Sequence, residues 1–155
     1  MRLELTRRGD YAVRAMLALT RRGGNGPMST RRIAEGMGIP ERFLPQVMSD
    51  LLRASLVEAT PGRNGGYTLA RPATDITILD VVEAVEGDSR RRTCVLRGGP
   101  CGVDGYCDVH DVFFGAQDAM LRALGSASLA GLPERIGGWI GPEEHRPKEK
   151  RETGA

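Results

Sequence analysis

The sequence predicts a mainly α fold with a small β-hairpin wing: a winged helix-turn-helix domain followed by a long C-terminal dimerisation helix. Three observations lead there. Between Gly9 and Ala54, apolar residues recur at helical spacing and are interrupted by glycine- and proline-bearing turns. Directly after them, two strand-like runs flank Thr60-Pro61-Gly62-Arg63-Asn64-Gly65-Gly66. A long apolar stripe then begins at Asp108, more than a small winged domain needs.

Each element has a local reason. Gly9 to Arg22 reads as the first helix, with Ala12, Ala15, Met16 and Leu19 on one stripe and Gly23-Gly24-Asn25-Gly26-Pro27 as its stop. A hydroxyl at Ser29 or Thr30 starts a short helix that ends in the turn around Gly38. Pro40 to Ala54 carries Phe43, Leu44, Val47, Met48, Leu51 and Leu52 on one face. Glu41, Arg42, Gln46, Ser49, Asp50 and Arg53 lie on the other. Pro45 cannot donate to a helical ladder, so either the regular helix begins near Arg42 or it kinks there. Two helices joined by a glycine turn fit a helix-turn-helix, and equally a plain helical hairpin. Leu56–Ala59 and Tyr67–Leu69 supply the hairpin that makes the first reading the stronger one. Thr77 caps a helix from Ile78 to Glu86 with Ile78, Leu79, Val82 and Val85 inward and Gly87 as stop. From Asp108 to Leu124 the stripe is Val109, Val112, Phe113, Ala116, Met120, Leu121 and Leu124. It fits packing against a second copy or against the chain's own core. The expected organisation is 1–72 as the winged module, 73–107 as connecting helix and cysteine loop, 108–141 as dimerisation helix and short following segment, and 142–155 as a disordered tail.

Charge is divided unevenly. Residues 1–72 hold twelve arginines, no lysine and six acids, whereas the remainder is net acidic. Arginine suits bidentate contact with phosphates and base edges, so the surplus points to a nucleic-acid face on the first half. Arg31, Arg32, Glu41, Arg42, Gln46 and Ser49 are the candidate contacts of the helices, the second lying in a major groove. Arg63 and Asn64 are those of the wing, within reach of a minor groove. No signal-peptide pattern and no membrane-length apolar run occur, so a soluble cytoplasmic protein without membrane contact is expected.

All three cysteines, Cys94, Cys101 and Cys107, fall within Thr93–His110 beside four glycines and a proline. His110 closes a C-x-x-H with Cys107. Clustered thiolates and an imidazole on a tightly folding backbone could hold zinc or an iron–sulfur cluster. A catalytic use, Cys94 or Cys107 as nucleophile with His110 as base, finds no second catalytic cluster and no P-loop around it, so no enzyme is expected.

These residues together resemble the Rrf family of bacterial winged-helix regulators, in its IscR-like and NsrR-like iron–sulfur branches. MRLELTRRGDYAVRAMLAL, IPERFLPQVMSDLLRASLV, PGRNGGYTLARP, ITILDVVEAVEG and the cysteine loop occur in the family's order over roughly residues 1–130. The resemblance implies a transcriptional regulator, a homodimer on a palindromic operator in double-stranded DNA, controlled by a cluster in each subunit. That cluster would sense redox state, nitric oxide or iron–sulfur supply. The resemblance also makes Cys94, Cys101 and Cys107 the cluster cysteines. For the fourth ligand, His110 matches the type that carries 2Fe-2S, slightly favoured here. Asp10, supplied from the partner subunit, matches the type that carries 4Fe-4S. The first two cysteines are separated by six residues where the family usually has five. A zinc- or thiol-switch repressor built from the same cysteines is the alternative.

Overall fold

The computed structural model describes residues 4–88 and 107–132. Helix α1 spans Arg7–Arg21, starting two residues before Gly9 because Thr6 caps it: the Thr6 hydroxyl accepts from the Gly9 N–H at 3.1 Å. Ala12, Ala15, Met16 and Leu19 are buried on it as the spacing predicts. Helix α2, Thr30–Met37, is capped by Ser29, whose hydroxyl accepts from the Arg32 N–H. It ends at Gly38, in the left-handed conformation at φ 61°.

The next helix is shorter than the expected Pro40–Ala54. Glu41–Phe43 forms a 3-10 turn, and α3 runs from Leu44 to Arg53 with Pro45 in its first turn. There the missing N–H costs nothing, so the proline starts the helix and does not kink it. Leu44, Val47, Met48 and Leu51 are buried as expected, while Phe43 and Leu52 are half-buried. Asp50 departs from expectation. The spacing predicts the polar face for it, yet it is 2 % exposed.

Strands β1 (Val57–Thr60) and β2 (Gly66–Leu69) pair antiparallel, with Val57 opposite Leu69 and Thr60 opposite Gly66. Met28, just before α2, bridges Tyr67 through two backbone hydrogen bonds of 2.9 Å. The wing is thereby joined to the strand that leads into the helix-turn-helix. That bond needs Gly66. Its φ is 150°, and a Cβ there would lie 2.4 Å from the Met28 carbonyl oxygen.

Helix α4, Ile78–Glu86, opens with a full capping box between Thr77 and Asp80. Val81, Val82 and Val85 are its buried residues, with Ile78 and Leu79 half-buried. Helix α5, His110–Ser126, buries Phe114, whereas Val112 from the expected stripe is 73 % exposed. Its end returns to the start of α4, where Ile78 N–H donates to the Ala127 carbonyl and Leu129 N–H to the Ile76 carbonyl. One core therefore takes in α1, α2, α3, α4 and Leu129.

Two substitutions test this account by urea unfolding. Gly66→Ala lowers stability by at least about 1 kcal/mol, through both the clash and the disfavoured backbone. Ser55 closes α3 at φ 55° without being glycine. Ser55→Gly therefore raises stability by about 1 kcal/mol, and an unchanged midpoint would remove the strain argument.

Candidate nucleic-acid interface and cysteine centre

All eight expected nucleic-acid contacts are exposed: Arg31 and Arg32 on α2, Glu41 and Arg42 on the 3-10 turn, Gln46 and Ser49 on α3, Arg63 and Asn64 on the wing tip. Arg31 is tied to Glu35 along its own helix, Nε to carboxylate at 2.9 Å. The Arg42 guanidinium lies 4.9 Å from the Phe43 ring centroid, and Phe43 in turn packs on Tyr11 of α1 at 5.4 Å. The entry to α3 is thus held against α1 by an aromatic pair.

A buried carboxylate organises the rest of this face. Asp50 Oδ2 accepts from Arg8 Nε at 3.0 Å and from Arg8 Nη2. Its Oδ1 accepts from Gln46 Nε2 at 3.2 Å and from Arg53 Nη2. Burial pushes the Asp50 carboxyl up. The hydrogen bonds from Arg8 and Gln46 and the charges of Arg8 and Arg53 more than offset that, leaving it below the ordinary aspartate value. Arg8 and Arg53 remain substantially exposed, with side chains 47 % and 71 % accessible. Sequence reading missed Arg8 as a member of this face, because nothing local says that the start of α1 reaches α3.

Of the expected metal ligands, Cys94 and Cys101 lie outside the described residues. Cys107 is half-buried, and its carbonyl accepts the His110 N–H at 2.9 Å. The two side chains thus belong to one turn at the head of α5. The His110 ring packs on Phe114 with centroids 4.2 Å apart. Asp10 lies inside α1 with both carboxylate oxygens engaged by Arg14, at 2.8 Å (Nε) and 2.5 Å (Nη2). Arg14 is itself 5 % exposed and also donates to the Met37 carbonyl. Among the described residues, no three of the histidines, cysteines, aspartates and glutamates converge as a metal site.

A further contact ties the end of α4 to the start of α1. Glu86, the last residue of α4, accepts through Oε1 from the Thr6 N–H at 3.1 Å and the Thr6 hydroxyl at 2.7 Å. The end of α4 is therefore bonded to the cap of α1, two residues before Arg8. No sequence signal predicts a contact across eighty positions.

The chain was compared with known proteins. The sequence model of the family described as Rrf2, iron-dependent transcriptional regulator, matches residues 5–135. Protein rrf2 of Nitratidesulfovibrio vulgaris is 32% identical over 130 residues, spanning 84% of this chain and 87% of that one. The structure of CymR, named the global cysteine regulator of B. subtilis, superposes with a TM-score of 0.72 at 27% identity, over 84% of this chain and 95% of that one. That of T. potens IscR gives 0.67 at 29% identity, over 83% and 85%. Among the described residues, no helix is long and apolar enough to cross a membrane.

The Asp50 cluster makes a pH prediction. A depressed folded-state pKa means that its contribution is complete above the unfolded value of 3.8 and is lost as pH falls through the lower folded value. Asp50→Asn should cost about 1–3 kcal/mol at pH 7. In urea melts, the gap to wild type should stay constant down to about pH 4 and narrow below it. A gap that widens on acidification contradicts the assignment.

Proposed function

Since the chain belongs to the Rrf2 family and is a DNA-binding transcriptional regulator, we propose that it acts as a homodimer whose operator affinity is governed by an iron–sulfur centre on Cys94, Cys101, Cys107 and His110. Cys107 and His110 sharing one turn at the head of α5 is the observation that carries this reading. Thiolate and imidazole are the donor chemistry such a centre needs; the thiol is half-buried and the imidazole packs on the Phe114 ring, which offers partial exclusion of water. When bound, the centre would supply an electron-transfer or nitric-oxide-reactive group.

Residues of the chain do the rest. His110 is favoured over Asp10 because Asp10 already neutralises Arg14. Withdrawing it would break both of its bonds to a guanidinium that is 5 % exposed, which is costly. The route from the segment after Gly87 to the reading helix runs through Glu86 and Thr6 to Arg8 and Asp50. The exposed Val112 on α5 supports a face that a second copy covers. A dimer sets its two α3 helices about 34 Å apart to match one turn of DNA, so a small tilt of α1 against α4 changes the fit of both at once. Arg31, Arg32, Glu41, Arg42, Gln46 and Ser49 meet the duplex from the helices, and Arg63 and Asn64 from the wing. A thiol switch without iron is the second reading, supported by the likeness to a structure named for cysteine regulation.

Protein purified without oxygen should show visible absorption bands together with bound iron and acid-labile sulfide. Colourless protein that stays so after reconstitution would leave the DNA-binding reading in place and favour the thiol switch. In a fluorescence titration on duplex DNA, Arg63→Ala should reduce the magnitude of the log–log salt slope by about 1. An unchanged slope removes Arg63 from the interface.

A further inference from the structure

Asp50 is too buried, at 2 % exposure, to meet DNA itself, yet it bonds one of the residues that can. An ionised carboxylate accepts hydrogen bonds and donates none. The Gln46 amide therefore has one allowed orientation beside it, nitrogen inward, as the 3.2 Å bond from Nε2 to Oδ1 records. The amide oxygen is left pointing away from Asp50, on a residue exposed at the surface of α3. Arg8 holds the other carboxylate oxygen through two donors, so the acid cannot rotate freely to release the amide.

We propose that Asp50 is a specificity-positioning residue, which fixes Gln46 so that its carbonyl oxygen faces the major groove and selects adenine or cytosine there. The inference rests on the DNA-binding reading and deepens it. Adenine N6 and cytosine N4 are the donors that the bases present in the major groove, whereas guanine O6 and N7 and thymine O4 are acceptors. Asparagine at position 50 reverses the chemistry. Its oxygen stays with Arg8 and its amide nitrogen faces Gln46; Arg53, which shares that acceptor and is 71 % accessible, turns to solvent, and Gln46 turns over to present N–H groups outward.

The test selects from a pool of duplexes carrying randomised, two-fold-symmetric half-sites. It uses the full-length wild type, Asp50→Asn, Gln46→Ala, the double variant and Gln46→Glu. Wild type should prefer adenine or cytosine at one position of each half-site, and Gln46→Ala should flatten that position while sparing the others. Asp50→Asn should invert it toward guanine or thymine by at least about fivefold. In the Gln46→Ala background, Asp50→Asn should change no base preference, as expected when one residue acts through the other. Should Asp50→Asn fail to fold by thermal melt, Gln46→Glu decides. Glutamate is an outward acceptor and keeps adenine or cytosine, so a switch to guanine would overturn the proposal. The proposal also fails if Asp50→Asn retains the wild-type preference, if it shifts preference without Gln46, or if Gln46→Ala changes nothing. If wild type enriches no sequence and shows no salt-dependent duplex binding, the DNA-binding reading itself falls, and this inference with it.

Discussion

The Asp50 carboxylate is the constraint around which the reading surface is built. A buried charge without partners costs several kcal/mol, so the chain must bring donors to it. Those donors come from two helices, Arg8 from α1 and Gln46 and Arg53 from α3. Meeting the needs of one acid therefore sets the angle between α1 and the recognition helix. It also places two arginines on the outer face, where they remain substantially accessible.

Two further joints make the rest of the module follow α3. At the wing, the Met28–Tyr67 backbone pair fastens the hairpin to the segment just before α2. At the far side, Glu86 caps the start of α1 from the end of α4. The segment that carries the cysteines follows directly after. A regulator needs its sensing segment to be mechanically connected to its reading element. Under the proposed reading that connection would run through the Glu86–Thr6 contacts, whose geometry a modest rotation would alter.

Asp10 and His110, the two candidates for a fourth ligand, stand in different surroundings. An aspartate and a histidine both suit a metal centre on paper. In the fold, Asp10 carries both Arg14 bonds, whereas His110 stands in the same turn as Cys107. The commitment of Asp10 is to a buried cation, and such a commitment is expensive to break.

The helices, their caps and the wing were legible in the sequence because their causes are local. Ser29 and Thr77 cap, Gly38 and Gly87 stop, and Pro45 is tolerated in a first turn. The apolar stripe of α3 appears at helical spacing, and Gly62 to Gly66 announce a hairpin tip. The turn shared by Cys107 and His110 was legible for the same reason. What local pattern could not convey was the fate of charges. Asp50 reads as an ordinary surface acid on the polar side of α3, whereas in the fold Arg8 reaches it from α1, forty-two positions away. Val81 and Phe114 turn inward, and Val112 outward, because α4 and α5 meet neighbours distant in sequence. Caps, turns and periodicity are written in a few adjacent residues. The partners of a buried charge are set by how whole helices pack, and the tertiary structure alone decides that.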